Sequence, residues 1–426
     1  MTSSKPSIAF RFSVAALSFL GLMANASASK YVGHVYMQTN EVKNQIMNFG
    51  RTAEGKLELH GTISTEGAGS GVFKPISGQE SAPNAFEGAG SVILAESNTL
   101  LFSTNGGDNS VTSFRVNSDG ELTMADHQST GEPVTGHSGT AKSLAYHARS
   151  RTLYVLHAFG PNHLRAYKVS EDGKLKLLPA QHSVDMTTKV GRVATQAVVS
   201  PDGRFLLVDI LFDAHPSANP DGTPNLVVAN APAQDGLVVF PIHDDGTLGE
   251  PSFADAGGGG PFYIAFLHGS NDTFLNGVAV GDGVLMSHID ETGKVTNGPL
   301  VQIDTSAGKP SELCWLQITS DNSVALATNF GYGTVSSYRI KDGNLSLLQD
   351  PANEAVPGDG TFRAVNGLVS SGPSDSWLTP DDKYFYQIFG NASVLVSYQL
   401  DKTSGKLTEI SRNKIPYNSP QGLAGF

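Results

Sequence analysis

The sequence predicts an all-β chain: a seven-bladed β-propeller of four-stranded antiparallel blades, with the ring closed by the C-terminal strand. Three observations predict it. One strand–turn–strand phrase recurs seven times, a second pair of strands lies upstream of most copies, and the tail YNSPQGLAGF reads as one more inner strand. Composition agrees. With 47 glycines and only 16% charged residues, the chain is built for tight turns rather than for charged surface helices.

The N-terminus comes first and reads as a targeting segment. Lys5 and Arg11 give it a positive start, Phe12 to Met23 (FSVAALSFLGLM) a short apolar core, and Ala26-Ser27-Ala28 a small-x-small cleavage pattern. The core is too short to span a bilayer comfortably. Residues 1–28 are therefore expected to be a signal peptide cut after Ala28, leaving one domain, 29–426. Cutting there takes the formal charge from −12 to −14, since Lys5 and Arg11 are lost. No cysteine stands at the cleavage site to carry a lipid, and no later stretch is long and apolar enough to anchor the chain. The expected location is periplasmic or extracellular.

The repeated phrase then runs from Asn44 (NQIMNFGRTAEGKLEL), Asn109 (NSVTSFRVNSDGELTM), Asn162 (NHLRAYKVSEDGKLKLL), Asp235 (DGLVVFPIHDDGTLGEP), Asp282 (DGVLMSHIDETGKVTNG), Gly333 (GTVSSYRIKDGNLSLL) and Ala392 (ASVLVSYQLDKTSGKLTEI). Each copy is an alternating strand, a polar turn carrying a glycine, and a shorter strand. The turn glycines are Gly55, Gly120, Gly173, Gly246, Gly293, Gly343 and Gly405, between 47 and 73 residues apart. Irregular spacing over a regular motif means variable loops on a fixed unit. The upstream pairs turn at Ala148-Arg149-Ser150, Pro201-Asp202-Gly203 and Pro380-Asp381-Asp382. Together the two pairs make a four-stranded unit, the blade of a propeller. Gln421 to Phe426 is expected to complete the first blade. Ser217–Gln234 and Glu354–Asp375, rich in Pro, Gly, Asn and Asp, are loops, where function concentrates.

Charge and cysteine content exclude some classes. A net charge of −12 argues against nucleic acid or an anionic membrane as partner. The single cysteine, Cys314 in ELCWLQI, leaves no internal disulfide and reads as a buried thiol.

The phrases VTSFRVNSDGELT, YQLDKTSGKLTEI, SPDGRFLLV and LATNFGYGTVSSYRI resemble those of the lactonase-like seven-bladed propellers, over essentially the whole mature chain. That family includes propeller-type 6-phosphogluconolactonases and carboxymuconate lactonizing enzymes. The resemblance implies a small lactone or sugar acid as ligand and a site on the upper face, where inner strands start. It also implies charged groups there, and these are replaced. VGRVATQAVV carries Thr195 and Gln196 in place of histidine, GGPFYIAF carries Phe262 and Tyr263 in place of Arg and His, TFLNGVAVGDG has no matching acid, and the upper turn Asn329-Phe330-Gly331 has lost its arginine. Lactone opening needs a proton donor or acceptor and stabilisation of developing charge. Catalytic residues are therefore not assigned, and a non-catalytic ligand- or protein-binding propeller stands as the alternative.

The candidate upper-face residues are His137, Arg192, Gln196, Tyr263, Glu312, Trp315, Asn329, Tyr332, Asp375 and Trp377. Aromatic faces with planar polar groups suit a carbohydrate-like ligand; the same aromatic residues also suit a plug for the central channel. Neither a cofactor nor a metal is assigned. His147, His157 and His163 lie at different strand ends, and Asp209, Asp213 and His215 form only a weak ligand pattern. Export also argues against a cytoplasmic sugar phosphate as substrate.

Overall fold

The computed structural model describes residues 1–2, 30–71, 88–133, 139–214, 233–303, 311–364 and 367–426. Residues 3–29, which hold most of the expected signal peptide and its cleavage site, lie outside the described residues, as do His137, His215 and most of the blade-four loop. Met1–Lys30 forms one unit and Tyr31–Phe426 the other; the second is the propeller.

Seven antiparallel sheets make the blades. Blade one orders Gln421–Gly425, Gly33–Gln38, Gln45–Arg51 and Leu57–Ser64 from the axis outward. The C-terminal strand therefore closes the ring. Val35 pairs with Gly425 and Met37 with Leu423, and the backbones of His34 and Phe426 exchange bonds of 3.1 and 3.0 Å. Blades two to seven run outward in chain order. Their inner strands are Val92–Ala95, Gly139–His147, Val193–Val199, Pro261–Phe266, Leu313–Ile318 and Pro373–Leu378. In blade five the outer edge is split into Val295–Asn297 and Val301–Gln302, both paired with Gly283–Ile289. The helical content of the described residues is one 3-10 turn, Gly390–Ala392.

Strand position explains residue choice. Second strands are covered on both faces, so Phe205–Phe212 (FLLVDILF) and Thr152–Phe159 are buried throughout. The outer strand Leu57–Ser64 is covered on one face at most and keeps its polar residues in solvent. Apolar residues of neighbouring blades interlock between the sheets: Tyr154, Leu156 and Ala166 of blade three meet Leu206, Val208 and Phe240 of blade four in one cluster.

The repeated glycine turn is also a fastening between blades. A tyrosine on the second strand of one blade donates to the turn glycine of the next: Tyr36 to the carbonyl of Gly120 (2.7 Å), Tyr154 to Gly246 (2.7 Å) and Tyr386 to Gly55 (3.0 Å). Gly120 has φ +79°, and a Cβ there would lie 2.1 Å from the His34 ring, so both conformation and contact demand glycine. Gly343 keeps the positive φ, yet a Cβ on it would meet nothing within 4 Å. Blade six alone among the repeats keeps the turn without the docking contact.

Candidate functional site

Call the end of the ring where inner strands begin the upper end. There, blade two's inner strand does not start in register with its neighbours. Residues 88–91 leave the sheet and cross the mouth. Ala89 N–H donates to the Thr195 carbonyl of blade four at 3.0 Å. Gly90 N–H donates to Asp375 Oδ1 of blade seven at 3.2 Å, and the Gly90 carbonyl accepts from Leu144 N–H of blade three at 3.0 Å. Blades four and seven stand three positions apart, as far as a ring of seven allows. A segment bonded to both spans the opening. Gly88 is needed for the crossing, because a Cβ on it would sit 2.7 Å from Lys142 Cβ and 3.0 Å from the Thr195 carbonyl.

An aromatic cluster occupies the upper end on the side of blades three to six. Phe262 and Trp315 meet edge-on at 4.7 Å, Trp315 and Phe330 lie 6.3 Å apart, and Phe330 and Phe362 lie 5.5 Å apart. Ala89 of the crossing segment belongs to the same cluster. The open part of the channel lies below this seal. Two cavities, of about 530 and 580 Å³, share Gln196, Val198, Tyr263, Gln317 and Trp377 as lining and are lobes of one channel. Residues at the far ends of inner strands, such as His268, Ser320 and Pro380, line the first lobe and are exposed, so the channel opens at the lower end.

The polar groups of the wall have fixed orientations. Gln196 Oε1 accepts from Ile264 N–H at 2.6 Å, which leaves its N–H₂ for the channel. Gln317 Nε2 donates to the Ser376 carbonyl at 2.9 Å, which leaves its Oε1 as an acceptor. Tyr263 stands on the strand between them. Asp375 is 4% exposed and lines the second lobe. Its Oδ2 accepts from Gly422 N–H at 2.8 Å and its Oδ1 from Gly90 N–H. Burial pushes its pKa up to about 6, against the pull of these two bonds and of the nearby Lys142 charge. Burial, with a smaller contribution from Asp375, also holds the Tyr263 hydroxyl above its ordinary range, so it stays a donor. Trp377 stacks on Tyr386 at 5.8 Å, with the Arg51 guanidinium 6.0 Å from its ring.

Of the candidates, then, Gln196, Tyr263, Asp375 and Trp377 come together on the channel wall. The other described candidates do not join them. Arg192 is fully buried in an ion cluster at the base of the blade-four loop, bonded to Asp213 and Asp235, which Lys189 also bridges. It is a structural cation there. Trp315 is fully buried in the aromatic seal. Asn329 is buried and donates to Thr334 and Ser336 within its own blade. Glu312, 5% exposed with φ +56°, sits at the start of blade six, and Tyr332 packs against the blade-five and blade-six core. Among the described residues, aromatic side chains and crossing backbone occupy the upper mouth, and the four candidates meet in a channel that opens below.

Two groups escaped sequence reasoning: Gln317, which lines the channel, and Lys142, buried behind its wall. Lys142 is 1% exposed in blade three's inner strand, and its Nζ donates to Ser70 (2.7 Å) and Gln421 (3.3 Å). A lysine within the apolar run TAKSLAY was the available signal. Gln317 carried no signal beyond sitting in an inner strand. The histidines serve the core. His157 bonds Thr130 and the His163 carbonyl and is driven by burial to about 4, and His163 bonds the Arg192 carbonyl. Asp213 faces Lys189 and Arg192 while Asp209 faces Asn276, so the two acids do not converge. Among the described residues, no cluster of three His, Cys, Asp or Glu side chains is placed to hold a metal.

Fold and site together define a seven-bladed propeller whose central channel, among the described residues, is covered by aromatic side chains above and opens below. No protein-family model matches the chain, and no curated protein matches its sequence. Solved structures do match. They include a periplasmic gluconolactonase of Pseudomonas aeruginosa (14% identity, 92% of this chain and 98% of that one, TM-score 0.64) and a putative 6-phosphogluconolactonase of Bacteroides fragilis (15%, 94% and 99%, 0.61). A protein from Lactobacillus plantarum is similar to the same degree (17%, 92% and 99%, 0.64). At these identities the likeness is one of fold.

Proposed function

We propose that this is an exported lactonase-like propeller whose channel binds a small unphosphorylated lactone from the lower end and hydrolyses it. The observation that carries the reading is the wall itself: a buried carboxyl, Asp375, beside a tyrosine hydroxyl, an amide donor, an amide acceptor and an indole face. In the proposed reaction, water attacks the lactone carbonyl as Asp375 accepts its proton. The Tyr263 hydroxyl and Gln196 N–H₂ donate to the developing oxyanion. The ring C–O bond breaks, and Asp375 returns the proton to the leaving oxygen. The resulting hydroxy acid releases its carboxyl proton to solvent, and the ionised Asp375 repels the carboxylate so formed. Neither lobe has a lysine or arginine in its lining, whereas Glu96, Asp375 and Asp382 line it. That balance suits a neutral lactone and disfavours a phosphorylated one. Export by residues 1–28, with cleavage after Ala28, belongs to the proposal and is checked by N-terminal sequencing of the mature protein. No helix among the described residues is long and apolar enough to cross a membrane.

A second reading has its own observation. Both oxygens of Asp375 accept backbone N–H groups, so the carboxylate also serves as a pin for the crossing segment. On that reading the protein is a non-catalytic ligand- or protein-binding propeller. One experiment separates the two. Gluconolactone and 6-phosphogluconolactone are titrated calorimetrically against purified protein, and hydrolysis is followed beside the spontaneous rate. Catalysis predicts hydrolysis of the unphosphorylated lactone that Asp375→Asn lowers by about 10²-fold or more. Binding without hydrolysis establishes the second reading for a ligand. Absence of binding overturns a lactone ligand altogether.

A further inference from the structure

Asp209 and Asn276 meet between blades four and five with an unfinished set of hydrogen bonds. Asp209 is fully buried and Asn276 is 1% exposed. Asn276 Nδ2 donates to Asp209 Oδ1 at 3.3 Å. The second oxygen of the acid, Asp209 Oδ2, and the amide oxygen, Asn276 Oδ1, are both buried without a partner. Two leftover acceptors on two planar groups that face each other are satisfied together by a single proton. We propose that Asp209 is held as the neutral acid, its Oδ2–H donating to Asn276 Oδ1, so that acid and amide close a two-bond ring, and that this ring positions the channel wall.

The surroundings support a neutral acid. Burial moves the carboxyl well above its ordinary range, the Asn276 bond opposes that only in part, and no charged group among the described residues bears on it. Its neighbours on the adjoining strands are uncharged: Gln196 on blade four's inner strand, Leu237 on the third, and Asn276 of blade five. An ionised carboxylate here would face the Asn276 carbonyl oxygen with only the long Asn276 N–H bond to offset it.

The link to the channel is register. Gln196 pairs with Asp209 within blade four, and Ile264 pairs with Asn276 within blade five. Gln196 in turn accepts from Ile264 N–H, so the two cross-blade contacts lie at one level and hold the same two sheets. Asp209 is thus a positioning residue that acts through Gln196, a role that rests on the channel reading above. The acid–amide ring itself does not depend on it.

Carbon NMR of aspartate-labelled protein reads the protonation directly: the Asp209 carboxyl carbon is expected at the neutral-acid shift at neutral pH. Asp209→Asn replaces the acid O–H by an N–H in the same place. Its denaturation midpoint and its lactone affinity should stay within about twofold of the wild type at neutral pH, whereas Asp209→Leu, which removes the ring, should weaken affinity by about tenfold, the scale of one lost hydrogen bond. A carboxylate shift at neutral pH overturns the neutral acid. An Asp209→Asn protein as impaired as Asp209→Leu overturns the ring as the positioning element. A wild type that binds no lactone overturns the positioning role along with the channel reading, while the carbon shift still decides the protonation.

Discussion

At the scale of single residues, the channel wall combines catalysis and stability in one carboxyl. Asp375 has a folded pKa of about 6 against an ordinary 3.8, so the native state holds its proton more tightly than the unfolded chain does. The sign follows. Its contribution to stability is complete below pH 3.8 and is lost as pH rises through about 6. This contribution makes denaturant midpoints fall with pH over that window, against the rise contributed by His157, held at about 4, so Asp375→Asn should tilt the measured profile towards a rise with pH. The downward contribution is removed only in part, because Asp282, buried at the upper end of blade five and also pushed to about 6, and Asp209, pushed well up by burial, act with the same sign. Hydrolysis should run the other way and rise through pH 6, where the base becomes ionised. Tyr263→Phe tests the other proton: it should lower the hydrolysis rate by roughly 10-fold to 10²-fold with little effect on the fold, since it removes one oxyanion donor.

At the scale of the element, the recurrent glycine turn does two jobs that sequence shows as one. The phrase predicts a hairpin, and all seven turn glycines have positive φ, as it requires. What the phrase hides is the neighbour. Gly120→Ala must both hold a left-handed alanine and displace the His34 ring, so it should cost about 3 kcal/mol in a denaturation experiment. Gly343→Ala has open space and should cost only about 1 kcal/mol, the backbone term. Equal costs would show that inter-blade docking adds nothing. The crossing segment 88–91 is the opposite case. Nothing in EGAGSVILA marks it as a bridge, since its partners, Thr195 and Asp375, lie 106 and 285 residues away. For the same reason Arg192 looks like a ligand cation in sequence and proves to be a cross-brace, its partners Asp213 and Asp235 flanking two strands that pair with each other.

At the scale of the whole molecule, closure of the ring has to come from chain ends, because the described propeller has no disulfide to lock it. Gln421–Gly425 supplies the innermost strand of blade one, and Gly422 holds Asp375 as well. Deleting Gln421–Phe426 should therefore do more than trim a terminus. The single urea transition should broaden or split, and near-ultraviolet circular dichroism of the Trp377 region should collapse. An unchanged transition would mean the ring holds without its closing strand. The sequence by itself determined the blades, their number, their turns and their closing strand. Those depend on alternation of apolar residues and on glycine conformation, and both are local properties written every few residues. Only the tertiary structure decided where the channel opens, which of the candidate residues face it, and that Gln317 belongs beside them while Lys142 is buried behind the wall. Those properties depend on side chains from different blades meeting across the ring axis, and the distance between them in space bears no relation to their separation along the chain.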